Sequence, residues 1–93
     1  MTSTDARPFV SVVIPARDEE AGIGRVLRDI PGDAVDEVIV VDNGSADATA
    51  EVARQHGAAV VREERRGYGQ ACLAGIRAVD PRAGIVVFLD ADY

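Results

Sequence analysis

Four apolar runs alternate with three stretches that carry helical signals, and this alternation dominates the chain. Residues 9–14 are rich in Val and Ile, with Ser11 the one polar interruption, so they read as a buried strand that Pro15 ends. Asp18, Glu19 and Glu20 then place acid at the start of a helix, with Asp18 as its N-cap. Ile23, Val26, Leu27 and Ile30 follow at i, i+3, i+4 and i+7, the apolar stripe of an amphipathic helix closed by Pro31 and Gly32. Residues 37–41 are a second strand with the β-branched run Val38, Ile39, Val40, Val41, left through the turn Asp42-Asn43-Gly44-Ser45. Ser45 caps a second helix over 46–56, with Gly57 at its C′ position.

Residues 58–62 form a short third strand and 63–67 a charged loop. A third helix spans 68–79, small on one face through Ala71, Ala74, Gly75 and Ala78, so that it can approach a sheet closely. A fourth buried strand, Ile85 to Leu89, runs out into Asp90-Ala91-Asp92-Tyr93. The order β-α-β-α-β-α-β, with right-handed crossovers, predicts an α/β fold: a parallel sheet with helices on both faces. A polar tail, 1–8, precedes a single domain, 9–93. Ninety-three residues allow one small domain that buries roughly 60 to 65% of its unfolded surface.

Charge and composition narrow the partners. Sixteen acids stand against ten bases, and all ten bases are arginine, for a net charge of -6. That balance excludes a nucleic-acid binder, which needs a basic stripe to neutralise phosphates. A lone Cys72 forms neither an internal disulfide nor a cysteine metal cluster and reads as a small core hydrophobe, which points to a reducing, cytoplasmic setting. His56, in the last turn of the second helix, reads as a capping or solvent-facing residue. No stretch approaches the 18 apolar residues of a membrane span, and the N-terminus lacks the apolar core of a signal peptide.

In a parallel sheet the strand ends share one edge, where ligands bind. Three acid-bearing segments meet there: Pro15 to Glu19, Asp42 to Ser45, and Asp90 to Asp92. Each alone is explained by turn or capping chemistry. Together, carboxylates at one edge repel unless a cation or a hydrogen-bonding ligand sits among them. A nucleoside diphosphate with a divalent metal meets that need, because two acids one residue apart offer hard oxygen ligands. Other phosphate sites fit worse. There is no Walker A motif, and Gly67-Tyr68-Gly69 carries only the first two glycines of a dinucleotide fingerprint, after the wrong strand. A receiver-like signalling domain would want a lysine on a later strand, and the chain has none.

As a set, these segments resemble a known family. Val12-Val13-Ile14-Pro15-Ala16-Arg17-Asp18-Glu19-Glu20, Val40-Val41-Asp42-Asn43-Gly44-Ser45-Ala46-Asp47-Ala48-Thr49, Arg66-Gly67-Tyr68-Gly69 and Phe88-Leu89-Asp90-Ala91-Asp92 resemble, in order and spacing, the N-terminal half of family 2 glycosyltransferases. The resemblance is strongest to the branch containing dolichyl-phosphate mannose synthase. It implies a GT-A fold, here its Rossmann-like N-terminal half, that binds a UDP- or GDP-linked sugar with Mg²⁺ or Mn²⁺. By position it implies a donor site of Pro15, Ala16, Arg17, Glu19, Asp42, Asn43, Gly44, Arg66, Asp90 and Ala91, with Asp92 and Asp90 toward the metal. The metal's role is Lewis-acid assistance to the departing nucleoside diphosphate.

Arg17 and Asp18 stand where many relatives carry Tyr-Asn, and Asn43 where many carry a second Asp, which leaves the nucleotide open. No catalytic base is expected before Tyr93, because the family's acceptor half follows that point. The chain is therefore expected to be a truncated, donor-binding half, inactive alone, in a protein that is cytoplasmic or lies at the inner face of a membrane. A lipid phosphate is the acceptor that the nearest branch suggests. The fourth strand is expected to expose an edge that invites homodimerisation. The rival reading is a non-catalytic nucleotide-binding or assembly module that works with a partner chain.

Overall fold

The computed structural model describes residues 7–92; residues 1–6 of the expected polar tail, and Tyr93, lie outside the described residues. The elements follow the expected order: β1 (Phe9–Ala16), α1 (Ile23–Asp29), β2 (Glu37–Asp42), α2 (Thr49–Gln55), β3 (Ala59–Arg62), α3 (Tyr68–Ala78) and β4 (Ala83–Phe88). All four strands are parallel, in the order β3-β2-β1-β4. The chain therefore reverses direction across the sheet between β3 and β4, which makes the crevice between the ends of β1 and β4 the switch point where such sheets bind ligands.

Register assigns the two faces. Val12 pairs with Val38, and Ile14 with Val40; on this face Val12, Ile14 and Val40 pack with Ile23 and Val26 of α1 and Ala53 of α2. The intervening residues Val13, Ile39 and Val41 pack against Ala71 and Ala74 of α3. Helices thus cover both faces, as β-branched strands buried on two sides require. The small face of α3 is what lets that helix sit close. A Cβ at Gly75 would overlap Cγ1 of Val13 and come within 3.2 Å of Cγ2 of Val41.

Four local expectations are corrected. Pro15 does not end β1, which continues through it to Ala16. β4 pairs no further than Phe88 opposite Val13, while Pro15 and Ala16 still pair with β2. Proline's missing donor therefore falls on the side that β4 has vacated. Asp18 is not a cap: α1 begins at Ile23, after Gly22, with no side-chain cap and no acid in its first turn. Ser45 does not cap α2, which begins at Thr49, and the Asp47 carboxylate accepts from Thr49 N at 3.0 Å instead.

The fourth correction is β4. It was expected to be buried, yet Ile85, Val86, Val87 and Phe88 are each 36 to 43% exposed. The apolar run resembles those of β1 and β2, but β4 lies at the edge and α3 crosses to β1 and β2, so the described residues leave it partly bare.

Below the sheet, at the N-terminal ends of the strands, a polar network ties α3 to β4. The buried Ser11 hydroxyl donates to Glu37 Oε1 at 2.7 Å, and the same oxygen accepts from Asp80 N at 2.8 Å. Asp80 accepts from Arg82 through the backbone N at 2.8 Å and through the guanidinium at 3.0 Å. These bonds hold the Asp80 carboxyl at about 2, well below its ordinary value. A depressed carboxyl contributes stability above its unfolded pKa, near 3.9, that is lost as pH falls through the folded value. Urea midpoints of Asp80→Asn should therefore lie below wild type at pH 6 and converge with it between pH 4 and 2; a constant gap across that window would contradict the ion-pair account.

Candidate functional site

The loops leaving β1 and β2 are laced together before any ligand is considered. Asp18 N donates to Ser45 Oγ at 2.9 Å, and Asp18 Oδ1 accepts from Ala46 N at 2.7 Å. Glu19 N donates to Thr49 Oγ1 at 2.9 Å, Glu20 N to Asp47 Oδ2 at 3.1 Å, and Ala48 N to Glu20 Oε1 at 3.0 Å. Asp18 holds this arrangement with φ of +54°, a left-handed conformation in which Asp is among the better-tolerated side chains. The short polar residues at these two turns are therefore spent on each other. They fix the path of the β1–α1 loop over the sheet edge.

Beside that lacing opens a cleft of about 450 Å³ lined by Pro15, Ala16, Arg17, Asn43, Arg66, Gly67, Tyr68 and Ala71. Five of these were expected from the sequence. Gly67, Tyr68 and Ala71 were not assigned to the site, although Tyr68 lies inside the Arg66-Gly67-Tyr68-Gly69 segment. Its position as first residue of α3, aimed at the cleft and 62% exposed, was the signal missed. Gly44 has φ of +89°, and a Cβ there would stand 3.5 Å from Nε of Arg66, so the arginine lies against that turn.

Asn43 is buried, and its amide uses both N–H donors and one acceptor position. Nδ2 donates to the carbonyls of Glu63 at 2.8 Å and Arg65 at 2.9 Å, and Oδ1 accepts from Gly67 N at 3.1 Å. Asp42 is also buried; its Oδ1 accepts from Ser45 N at 2.9 Å, and it lines a separate depression with Ser45, Asp47 and Arg62.

Asp90 and Asp92 lie past the end of β4, both exposed, with buried Ala91 between them. They line a groove of about 490 Å³ between α1 and β4 with Val26, Ile30, Val87 and Leu89. The two acids thus do not line the Arg17–Tyr68 cleft. Electrostatics connect the two spaces. Glu19 is held above its ordinary pKa by burial first and then by the charges of Asp92, Asp47 and Asp18. The Tyr68 phenol is raised by Cys72, one turn along α3, and further by Asp90. The backbone also comes close here, since a Cβ on Gly22 would sit 3.3 Å from the carbonyl oxygen of Ala91.

Among the described residues no three His, Cys, Asp or Glu side chains converge as a ready metal cage. The two exposed carboxylates of Asp90 and Asp92, one residue apart, are the donor type that suits a hard cation such as Mg²⁺ or Mn²⁺, whose remaining positions are commonly filled by phosphate oxygens and water. The acidic surroundings registered by Glu19 would welcome that charge.

The profile of glycosyl transferase family 2 matches residues 11–93. The chain belongs to that family. An uncharacterized glycosyltransferase of Mycobacterium tuberculosis is 48% identical to it over 83 residues, covering 89% of this chain and 36% of the relative. A dolichyl-phosphate hexose transferase of Haloferax volcanii is 44% identical over 85 residues, with the same coverage of 89% and 36%. Among solved structures, glucosyl-3-phosphoglycerate synthase from Mycobacterium tuberculosis, crystallised with Mn²⁺, UDP-glucose and glycerol 3-phosphate, superposes with a TM-score of 0.83 at 38% identity. That superposition covers 91% of this chain and 34% of the other. This family 2 chain thus spans about a third of the length of its relatives, and its sheet is the Rossmann-like part of their GT-A fold.

Proposed function

We propose that this chain forms the donor-binding part of a glycosyltransferase and takes a nucleoside diphosphate sugar together with Mg²⁺ or Mn²⁺. The observation that carries the reading is the cleft lined by Pro15, Ala16, Arg17, Arg66 and Tyr68 at the sheet edge, with the charge of Asp90 reaching Tyr68 in its wall. Pro15, Ala16 and Arg17 would receive the nucleoside, with the guanidinium of Arg17 free to stack on a base. Gly44 would seat Arg66 against its turn, Glu19 would lend the approach its acidic charge, and Asp42 would shape the turn through its bond from Ser45 N. Asp92, with Asp90 and the intervening Ala91 backbone, would face the diphosphate and hold the cation. The metal's chemistry when bound is charge neutralisation of the leaving diphosphate. Arg66 would add positive charge from the opposite wall.

The similarity to a UDP-glucose and Mn²⁺ complex favours a UDP sugar over a GDP sugar. Relatives whose names carry dolichyl phosphate and phosphoglycerate support an acceptor that bears a phosphate; a lipid phosphate would bring the protein to the cytoplasmic face of a membrane, though no helix among the described residues is long and apolar enough to cross one. The acceptor's general base is proposed to come from outside residues 7–92. Bare β4, with its unpaired edge and exposed Ile85 to Phe88, favours completion of the sheet by further polypeptide, a second copy of the chain or a partner.

Titration calorimetry with UDP-glucose and GDP-mannose, with Mn²⁺ and with EDTA, tests the donor reading. Binding that needs Mn²⁺ and prefers UDP-glucose is expected. Absence of heat with every donor in the presence of Mn²⁺ would remove it.

A further inference from the structure

We infer that Asn43 is a positioning residue of the donor site, acting through the loop 63–67 rather than by touching the ligand; the inference rests on the donor reading above. Its amide makes three hydrogen bonds, to the carbonyls of Glu63 and Arg65 and from Gly67 N, and is 7% exposed. An amide group has two N–H donors and one carbonyl. Both N–H groups are used and the oxygen holds one donor, so little capacity remains for a nucleotide.

What those bonds hold is the segment that builds one wall of the cleft. Glu63 also accepts from Arg65 N at 2.8 Å, which tightens the turn from the outside. With the loop pinned at 63, 65 and 67, Arg66 projects between two fixed points, its guanidinium over Gly44, and α3 starts at Tyr68 facing the cleft. Without the clamp, the three loop groups facing the buried Asn43 amide lose their partners in a part-buried position, and the loop is free to shift toward water.

The chemistry also selects asparagine. An aspartate of the same shape would keep the acceptor for Gly67 N but would turn a second oxygen toward two carbonyls. In this loop geometry the side chain must donate twice. An acid at this position therefore needs another loop path or a proton.

The test compares wild type with Asn43→Asp and Asn43→Ser, using uridine diphosphate with Mn²⁺ as the probe and amide hydrogen exchange at Gly67 as the loop readout. Both variants should bind about tenfold more weakly, and Gly67 should exchange faster in both. The wild-type to Asn43→Asp affinity ratio should narrow from pH 8 to pH 5, as the introduced carboxyl takes up a proton and regains one donor; a purely structural loss would leave the ratio flat. Weaker binding with unchanged Gly67 exchange means that Asn43 touches the ligand, and overturns the inference. Faster exchange with unchanged affinity means that the loop lies outside the site, and overturns it equally. A wild-type chain that binds no uridine diphosphate removes the donor reading, while Gly67 exchange still reads the clamp. Should Asn43→Asp fail to fold, Asn43→Ser carries both measurements.

Discussion

Gly75→Val should lower the melting temperature by about 15 °C, the largest effect expected of any single substitution on the surface between α3 and the sheet. A Cβ at this position overlaps Cγ1 of Val13 and crowds Cγ2 of Val41, and both valines are fully buried. Overpacking of this kind costs about 1 to 3 kcal/mol, and the two methyl groups of valine add bulk to a position where the Cβ alone already overlaps the sheet. In a domain of this size each kilocalorie shifts the midpoint by roughly 4 to 8 °C. Gly75→Ala should lose less, because alanine regains about 1 kcal/mol of helix propensity over glycine. The contact itself is checked by a double-mutant cycle: Val13→Ala opens the space that the new methyl needs, so Gly75→Ala should be nearly neutral or stabilising in that background. Additive losses in the double mutant would show that α3 does not pack on β1 through this pair.

The largest functional effect is expected at Asp92. Asp92→Ala should weaken Mn²⁺-dependent binding of UDP-glucose by about 100-fold, the scale of losing one of two carboxylate ligands to a charge-stabilising metal, while binding in EDTA stays as in wild type. Asp92 is exposed and follows the last strand, so removing its side chain leaves the cores intact. A second readout comes from Glu19. Its carboxyl is raised by burial and then by Asp92, so the variant should titrate Glu19 closer to its ordinary value, visible by carboxyl NMR. Unchanged Mn²⁺ dependence of affinity in Asp92→Ala would take this residue off the ligand set, whatever Glu19 does.

Most of the fold was legible along the chain because each strand and helix carries its own period. The β-branched runs, the Ile23-Val26-Leu27-Ile30 stripe and the small face of α3 each state what the element must bury. Element boundaries were less legible for a specific reason. Asp18, Ser45 and Asp47 are all good capping residues, and the sequence could not show that Asp18 would bond to Ser45 and Ala46, and Asp47 to Glu20 N, across two loops. Pro15 looked like a stop because nothing local revealed that its missing donor would point to a side of the sheet where pairing had already ended.

The site divides along the same line. Pro15, Ala16, Arg17 and Asn43 meet in one cleft, as their placement at strand ends implied, Arg66 joins them from the loop before α3, and the four motifs in order were enough to point to the family. Their roles were not readable in one dimension. Asn43 looks like a turn residue until three bonds to loop 63–67 are seen. Tyr68 looks like the start of a helix until α3 turns it into the cleft.

By itself the sequence determined the βα alternation, the parallel sheet, the acidic strand ends and the family, because these depend on local periodicity and on the chemistry of short segments. Only the tertiary structure decided which polar side chains are spent on loop-to-loop bonds, which remain to face a ligand, and that β4 is half bare at the sheet edge. Those outcomes depend on contacts between segments 20 to 30 residues apart, and no pattern within a single segment records which partner a donor or an apolar face will meet.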